Sequence, residues 1–128
     1  MKSTFLGFIG ILAVSFLVAC VADPSTPGGK LGSKSYLGSY TMGASSGGAT
    51  SYLYATGDTT IELTYSFSGG ANVQLTNIGF QAISGGYSLN KADVTGTLSG
   101  TTTSDFGILT WQYVTPGTTI GFTGNKVQ

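Results

Sequence analysis

The sequence predicts an all-β fold, a small antiparallel β-sandwich or barrel of about seven strands, and three observations carry that prediction. Thr60-Ile61-Glu62-Leu63-Thr64-Tyr65-Ser66-Phe67 places Ile61, Leu63, Tyr65 and Phe67 on one face and Thr60, Glu62, Thr64 and Ser66 on the other. That is the two-residue period of a half-buried strand, written in β-branched and aromatic residues. Glycine-bearing pairs punctuate the chain at short intervals, as antiparallel hairpins require. No segment from Tyr36 to Gln128 shows a helical period.

Taken in order, Tyr36, Gly38, Tyr40 and Met42 share a face of the first strand, and Tyr52 and Tyr54 share a face of the second. Thr60–Phe67 is the third. The next begins in the phase of Val73 and Leu75 and continues in the opposite phase through Ile78, Phe80 and Ala82, so one extra residue, a bulge near Asn77, is expected. Val94-Thr95-Gly96-Thr97-Leu98, Phe106 to Tyr113 and Thr119-Ile120-Gly121-Phe122 complete the set. Turns are expected at Gly47-Gly48, Gly57-Asp58, Ser68-Gly69-Gly70, Gly85-Gly86, Ser99-Gly100 and Pro116-Gly117.

Ahead of these strands the chain changes character twice. Residues 20–35, with Pro24, Pro27 and the Gly28-Gly29 pair, have the composition of a flexible linker. Residues 1–19 have that of a cleaved signal. The apolar run Phe5–Ala19 is fifteen residues long, short of the ~20 that a spanning helix needs and suited to a signal-peptide core of about 7–15. Leu17-Val18-Ala19-Cys20 then resembles the lipobox of bacterial lipoproteins, an aliphatic residue three positions before a cysteine and small residues just before it. The resemblance implies acylation of Cys20, cleavage before it and acylation of the new amino group. Lys2 alone makes a thinner positive region than usual, and a plain secretory signal or an uncleaved anchor is the alternative. Cys20 is the only cysteine, so it has no intramolecular partner.

The domain organisation expected is therefore a signal peptide at 1–19, a linker carrying lipidated Cys20 at 20–35, and a β domain at 36–128. Its location is the bacterial cell envelope, with the membrane as partner through acylated Cys20. Val21 after the cysteine favours the outer over the inner membrane, by resemblance to enteric sorting rules. Gly38-Ser39-Tyr40 and Thr95-Gly96-Thr97-Leu98 loosely resemble the patterning of small calycin-type or sandwich lipoproteins, from which no functional residue carries over.

Composition narrows the functions. Beyond the signal the charges are Lys30, Lys34, Lys91 and Lys126 against Asp23, Asp58, Glu62, Asp93 and Asp105, with no arginine or histidine anywhere. A basic footprint for phosphate is missing, so nucleic acid is not an expected partner. Without histidine the usual general base is absent, no Gly-x-Ser-x-Gly elbow occurs, and no Asp-rich loop offers a cation site. Glu62 and Asp93 could in principle form a glycosidase-type pair, but nothing in the sequence brings them together. The chain is read as a non-enzyme with no cofactor and no metal.

Two features invite a binding or assembly role. Tyr52, Tyr54, Trp111 and Tyr113 form either part of an aromatic core or an exposed platform for a glycan or an envelope protein. Phe67, Phe80, Phe106 and Phe122 are expected in the core. Phe106 to Val114 carries neither charge nor proline, so as an edge strand it would favour self-association or completion of a partner's sheet; as a central strand it would not. The functional expectation is a lipid-anchored envelope protein that binds a protein, glycan or other ligand, the alternative an assembling surface or matrix subunit that pairs edge strands.

Overall fold

In a computed structural model, which describes residues 23–68 and 70–127, the chain forms one closed barrel. A short helix α1 (Pro27–Leu31) precedes eight strands: β1 (Ser33–Met42), β2 (Ser45–Ala55), β3 (Thr60–Phe67), β4 (Asn72–Ile83), β5 (Gly86–Asp93), β6 (Gly96–Thr103), β7 (Ile108–Thr115) and β8 (Thr118–Val127). Each strand pairs antiparallel with the next, and β8 returns to β1 in a ladder from Ser35–Val127 to Met42–Ile120. The architecture is thus an up-and-down barrel, with one strand more than the alternation alone suggests. Closure leaves the ladder without an open edge among the described residues.

Alternation decides what faces inward. Ile61, Leu63 and Tyr65 of β3 are buried, as are Leu109, Trp111 and Tyr113 of β7, while Thr110 and Gln112 between them are exposed. Leu53, Ile78, Phe80, Leu89, Leu98 and Phe122 join them in a single core. Eight strands enclose just enough space for side chains to fill. The outer wall is mostly Ser, Thr, Asn and Gln, the reverse of a barrel that presents an apolar band to lipid.

The bulge lies where the phase change places it. Leu63 pairs Leu75 but Ile61 pairs Ile78, so two residues of β4, Thr76 and Asn77, oppose Glu62 of β3, and Asn77 absorbs the excess with φ +57°. Asparagine is among the few non-glycine residues that tolerate this region. Turns at Gly57-Asp58, at Ser68, beside Gly85 and at Pro116-Gly117 also match expectation. Two do not. Gly47-Gly48 runs inside β2, and Ser99-Gly100 inside β6. The first hairpin instead turns at Gly43-Ala44, where Gly43 has φ +61°. Gly100 serves packing, since a Cβ there would lie 2.7 Å from that of Trp111 on the paired strand.

The segment expected to be a linker is corrected over its described part, Asp23–Ser35. Thr26 caps α1 by accepting from Gly29 N at 3.1 Å, and Pro27 opens the helix with a φ already suited to it. Leu31, the one large apolar side chain of the segment, is fully buried at the end of the barrel. Backbone bonds from Gly28 N to Asp58 O (2.7 Å) and from Ala55 N to Gly32 O (2.8 Å) fix the helix to the loop and strand beside it. The first residues are held as well, by the 2.9 Å bond from Asp23 N to Asp58 Oδ1. Proline and glycine here start and seat a helix instead of loosening the chain. The signal peptide and Cys20 lie outside the described residues.

Candidate binding surface

The four aromatic candidates separate into two pairs. Trp111 and Tyr113 point into the barrel, 1% and 7% exposed. Trp111 Nε1 donates to the buried Ser51 Oγ across the interior at 2.9 Å, and the indole packs on Tyr65 and Phe122 with ring centroids 4.9 and 5.7 Å away. Tyr113 shares a hydrogen bond with Thr95 Oγ1 at 3.1 Å. These two residues are core, so the reading of all four as one exposed platform is corrected. Leu109 in the same phase, with Thr110 and Gln112 opposite, is the sequence signal that marks their face as the inner one.

Tyr52 and Tyr54 stand on the outer wall, 40% and 42% exposed, and are the exposed aromatics among the described residues. Their alternation with Ser51, Leu53 and Ala55, all buried, turns them outward. The rings lie 6.4 Å apart and 17° from parallel, a stacked pair along β2. In the paired registers Ser35 and Thr64 flank Tyr52, and Ser33 and Glu62 flank Tyr54. Gln74 Nε2 donates to Glu62 Oε1 at 2.7 Å, which occupies that carboxylate.

Further along β2, beginning at Thr50, lies a groove that the alternation pattern does not reveal. It measures about 370 Å³ and is lined by Leu37, Gly48, Thr50, Ser66 and Ser68, among others. A side chain at Gly48 would project into open space, so its absence leaves the groove free. Thr50 and Ser66 bridge through their hydroxyls at 3.0 Å. From Gly48 to Tyr54 this track spans six residue-to-residue steps, about 20 Å at ~3.3 Å per step.

The remaining polar candidates are structural. Glu62 on β3 and Asp93 at the end of β5 have β4 between them, so no carboxylate pair forms. The Thr95 hydroxyl and backbone N–H, with Lys91 at 3.3 Å, hold the Asp93 carboxyl down at about 2. Among the described residues no group of three or more His, Cys, Asp or Glu converges. β7 is paired on both sides, by β6 and β8, so the edge-strand route to assembly is also corrected.

Inside the barrel the Tyr36 hydroxyl and Thr102 Oγ1 are buried without a hydrogen-bond partner among the described residues. Burial, and then the Asp105 carboxylate, pushes the Tyr36 phenol up to about 12, and burial raises Tyr65 in the same direction. An unfolded tyrosine ionises near ~10. The stabilisation from a neutral Tyr36 is therefore complete below about pH 10 and is lost as pH rises through about 12. Urea midpoints between pH 9 and 12 should fall for the natural chain and fall less for Tyr36→Phe. At pH 7 that variant, freed of an unpaired buried hydroxyl, should match or exceed the natural stability.

Comparison with known proteins adds no relative: no family model, no curated protein and no solved structure matches the chain.

Proposed function

We propose that this protein is a non-enzymatic, lipid-anchored component of the bacterial cell envelope, tethered through Cys20, whose barrel binds an extended neutral glycan on its outer wall along β2. The observation that carries the binding reading is the exposed Tyr52–Tyr54 pair on the same strand face as the Gly48 groove. A sugar ring has an apolar C–H face and a rim of hydroxyls. Near-parallel tyrosine rings accept the first, and the flanking Ser, Thr and Gln side chains accept the second. The barrel axis is taken up by Trp111, Phe80, Leu53 and their neighbours, which directs the search for a ligand to the wall. A glycan suits the track better than a protein because the exposed aromatic surface is narrow, whereas stable protein interfaces bury roughly 800 Å² on each side.

The test is the double variant Tyr52→Ala/Tyr54→Ala, assayed against oligosaccharides released from the host envelope. Both rings are half exposed, so each truncation should cost under about 1 kcal/mol of stability. The expected result is loss of glycan binding with a nearly unchanged melting temperature. Undiminished binding by the double variant sinks the wall reading.

A further inference from the structure

We infer that the barrel stands on the membrane by its α1 end, held there in one orientation instead of swinging on a leash. The inference rests on the proposed acylation of Cys20 and on where the folded chain begins. Asp23 is already fastened to Asp58, and α1 follows within four residues. Only Val21 and Ala22 separate Asp23 from Cys20. Three Cα-to-Cα steps reach at most about 11 Å, since an extended chain spans ~3.3–3.6 Å per residue. That reach is less than half the height of the barrel. A strand of ten residues rises ~3.3 Å each and tilts by about 35–45°, giving roughly 25 Å from end to end. The far end cannot reach the lipid surface unless the whole barrel lies down.

The α1 end has the surface for that contact. Ile83 closes β4, Ile108 opens β7 and Val127 closes β8, each between 45% and 48% exposed at this end. Ile83 and Ile108 wall a groove of about 350 Å³ beside Gly85 and Gly86. Tyr54 reaches the same rim one residue before the end of β2, and a tyrosine with an apolar ring and a polar tip suits the headgroup boundary. Lys30 and Lys126 are exposed there, but Asp23, Asp58 and Asp105 lie at the same end, so it is not a polybasic patch. The far end carries exposed Val73, Val94 and Val114, so the short tether and not apolar surface decides which end meets the lipid, and the contact should not depend on anionic lipid. The partner is the lipid surface itself. The hairpins at 43–44, 94–95 and 116–117 then face outward, and the track on β2 rises from Tyr54 near the membrane to Gly48 away from it.

The experiment uses the protein as processed by its host, purified and reconstituted into phosphatidylcholine vesicles. Ser84→Cys at the α1 end and Val94→Cys at the far end, both in exposed turns, each receive a fluorophore, quenched by spin-labelled lipid headgroups. The expected result is quenching several-fold stronger at position 84 than at 94, unchanged when a third of the lipid is phosphatidylglycerol. Equal quenching at both positions in an acylated sample overturns the fixed orientation and leaves the anchor standing. A mass spectrum without acyl chains on Cys20 overturns the anchor and this inference together.

Discussion

Trp111→Ala should unfold much of the population at moderate temperature, with a stability loss of about 3–5 kcal/mol. The indole is among the largest fully buried side chains, and it links strands β7, β3 and β8 through its packing on Tyr65 and Phe122. Its removal leaves a cavity where aromatic rings meet, and it strips the buried Ser51 Oγ of the indole N–H that donates to it. A domain of this size typically has only about 5–15 kcal/mol in total, so the loss is a large share. Urea denaturation followed by tyrosine fluorescence and circular dichroism measures it. Because Tyr52→Ala/Tyr54→Ala removes more aromatic surface at little cost to stability, the contrast separates core from wall. A Trp111→Ala protein of natural stability would mean that the indole does not fill the barrel.

Leu31→Ala is the second large effect, about 2–5 kcal/mol. The change lies in a stretch whose composition reads as tether, where truncating one leucine should cost nothing. Leu31 is buried to the last atom, and its carbonyl accepts from Lys34 Nζ at 2.6 Å while that ammonium sits 5.6 Å from the Phe106 ring centroid. Losing the leucine should loosen α1, the 56–59 loop and the end of β2 together, since Gly28 N and Ala55 N bond across that joint. Hydrogen exchange at Ala55 and Gly28 should speed up ahead of the far hairpins. An unchanged denaturation midpoint would return the segment to the status of a leash and remove the basis for a fixed orientation at the membrane.

Much of the barrel was legible because strand alternation is local. Ile61, Leu63 and Tyr65 announced their face, and the shift from Leu75 to Ile78 announced the bulge at Asn77. Leu53 between Tyr52 and Tyr54 set the two tyrosines on the face of β2 opposite its own but left open which face was outward, and the structure places the tyrosines there. What was hidden depends on partners distant in sequence. Closure is made by β1 and β8, whose paired residues Tyr40 and Phe122 are far apart in the chain, so nothing local separates a barrel from a sandwich. Glycine is ambiguous for a related reason. It marks a turn at Gly43, but at Gly100 it makes room for Trp111, and only the neighbouring strand tells these uses apart. The groove at Gly48 was hidden likewise, because it exists only where Leu37 and Ser66 from flanking strands rise on either side. Leu31 was hidden by averaging: one buried leucine outweighs the prolines and glycines around it.

The proposed envelope attachment, orientation and access to envelope glycans all depend on processing of the N-terminus at Cys20. Mass spectrometry of the protein isolated from its own host tests it directly. The expected result is a chain that begins at Cys20 and carries acyl chains on that residue. A chain that retains Met1 to Ala19, or one with Cys20 as a free thiol, would contradict it.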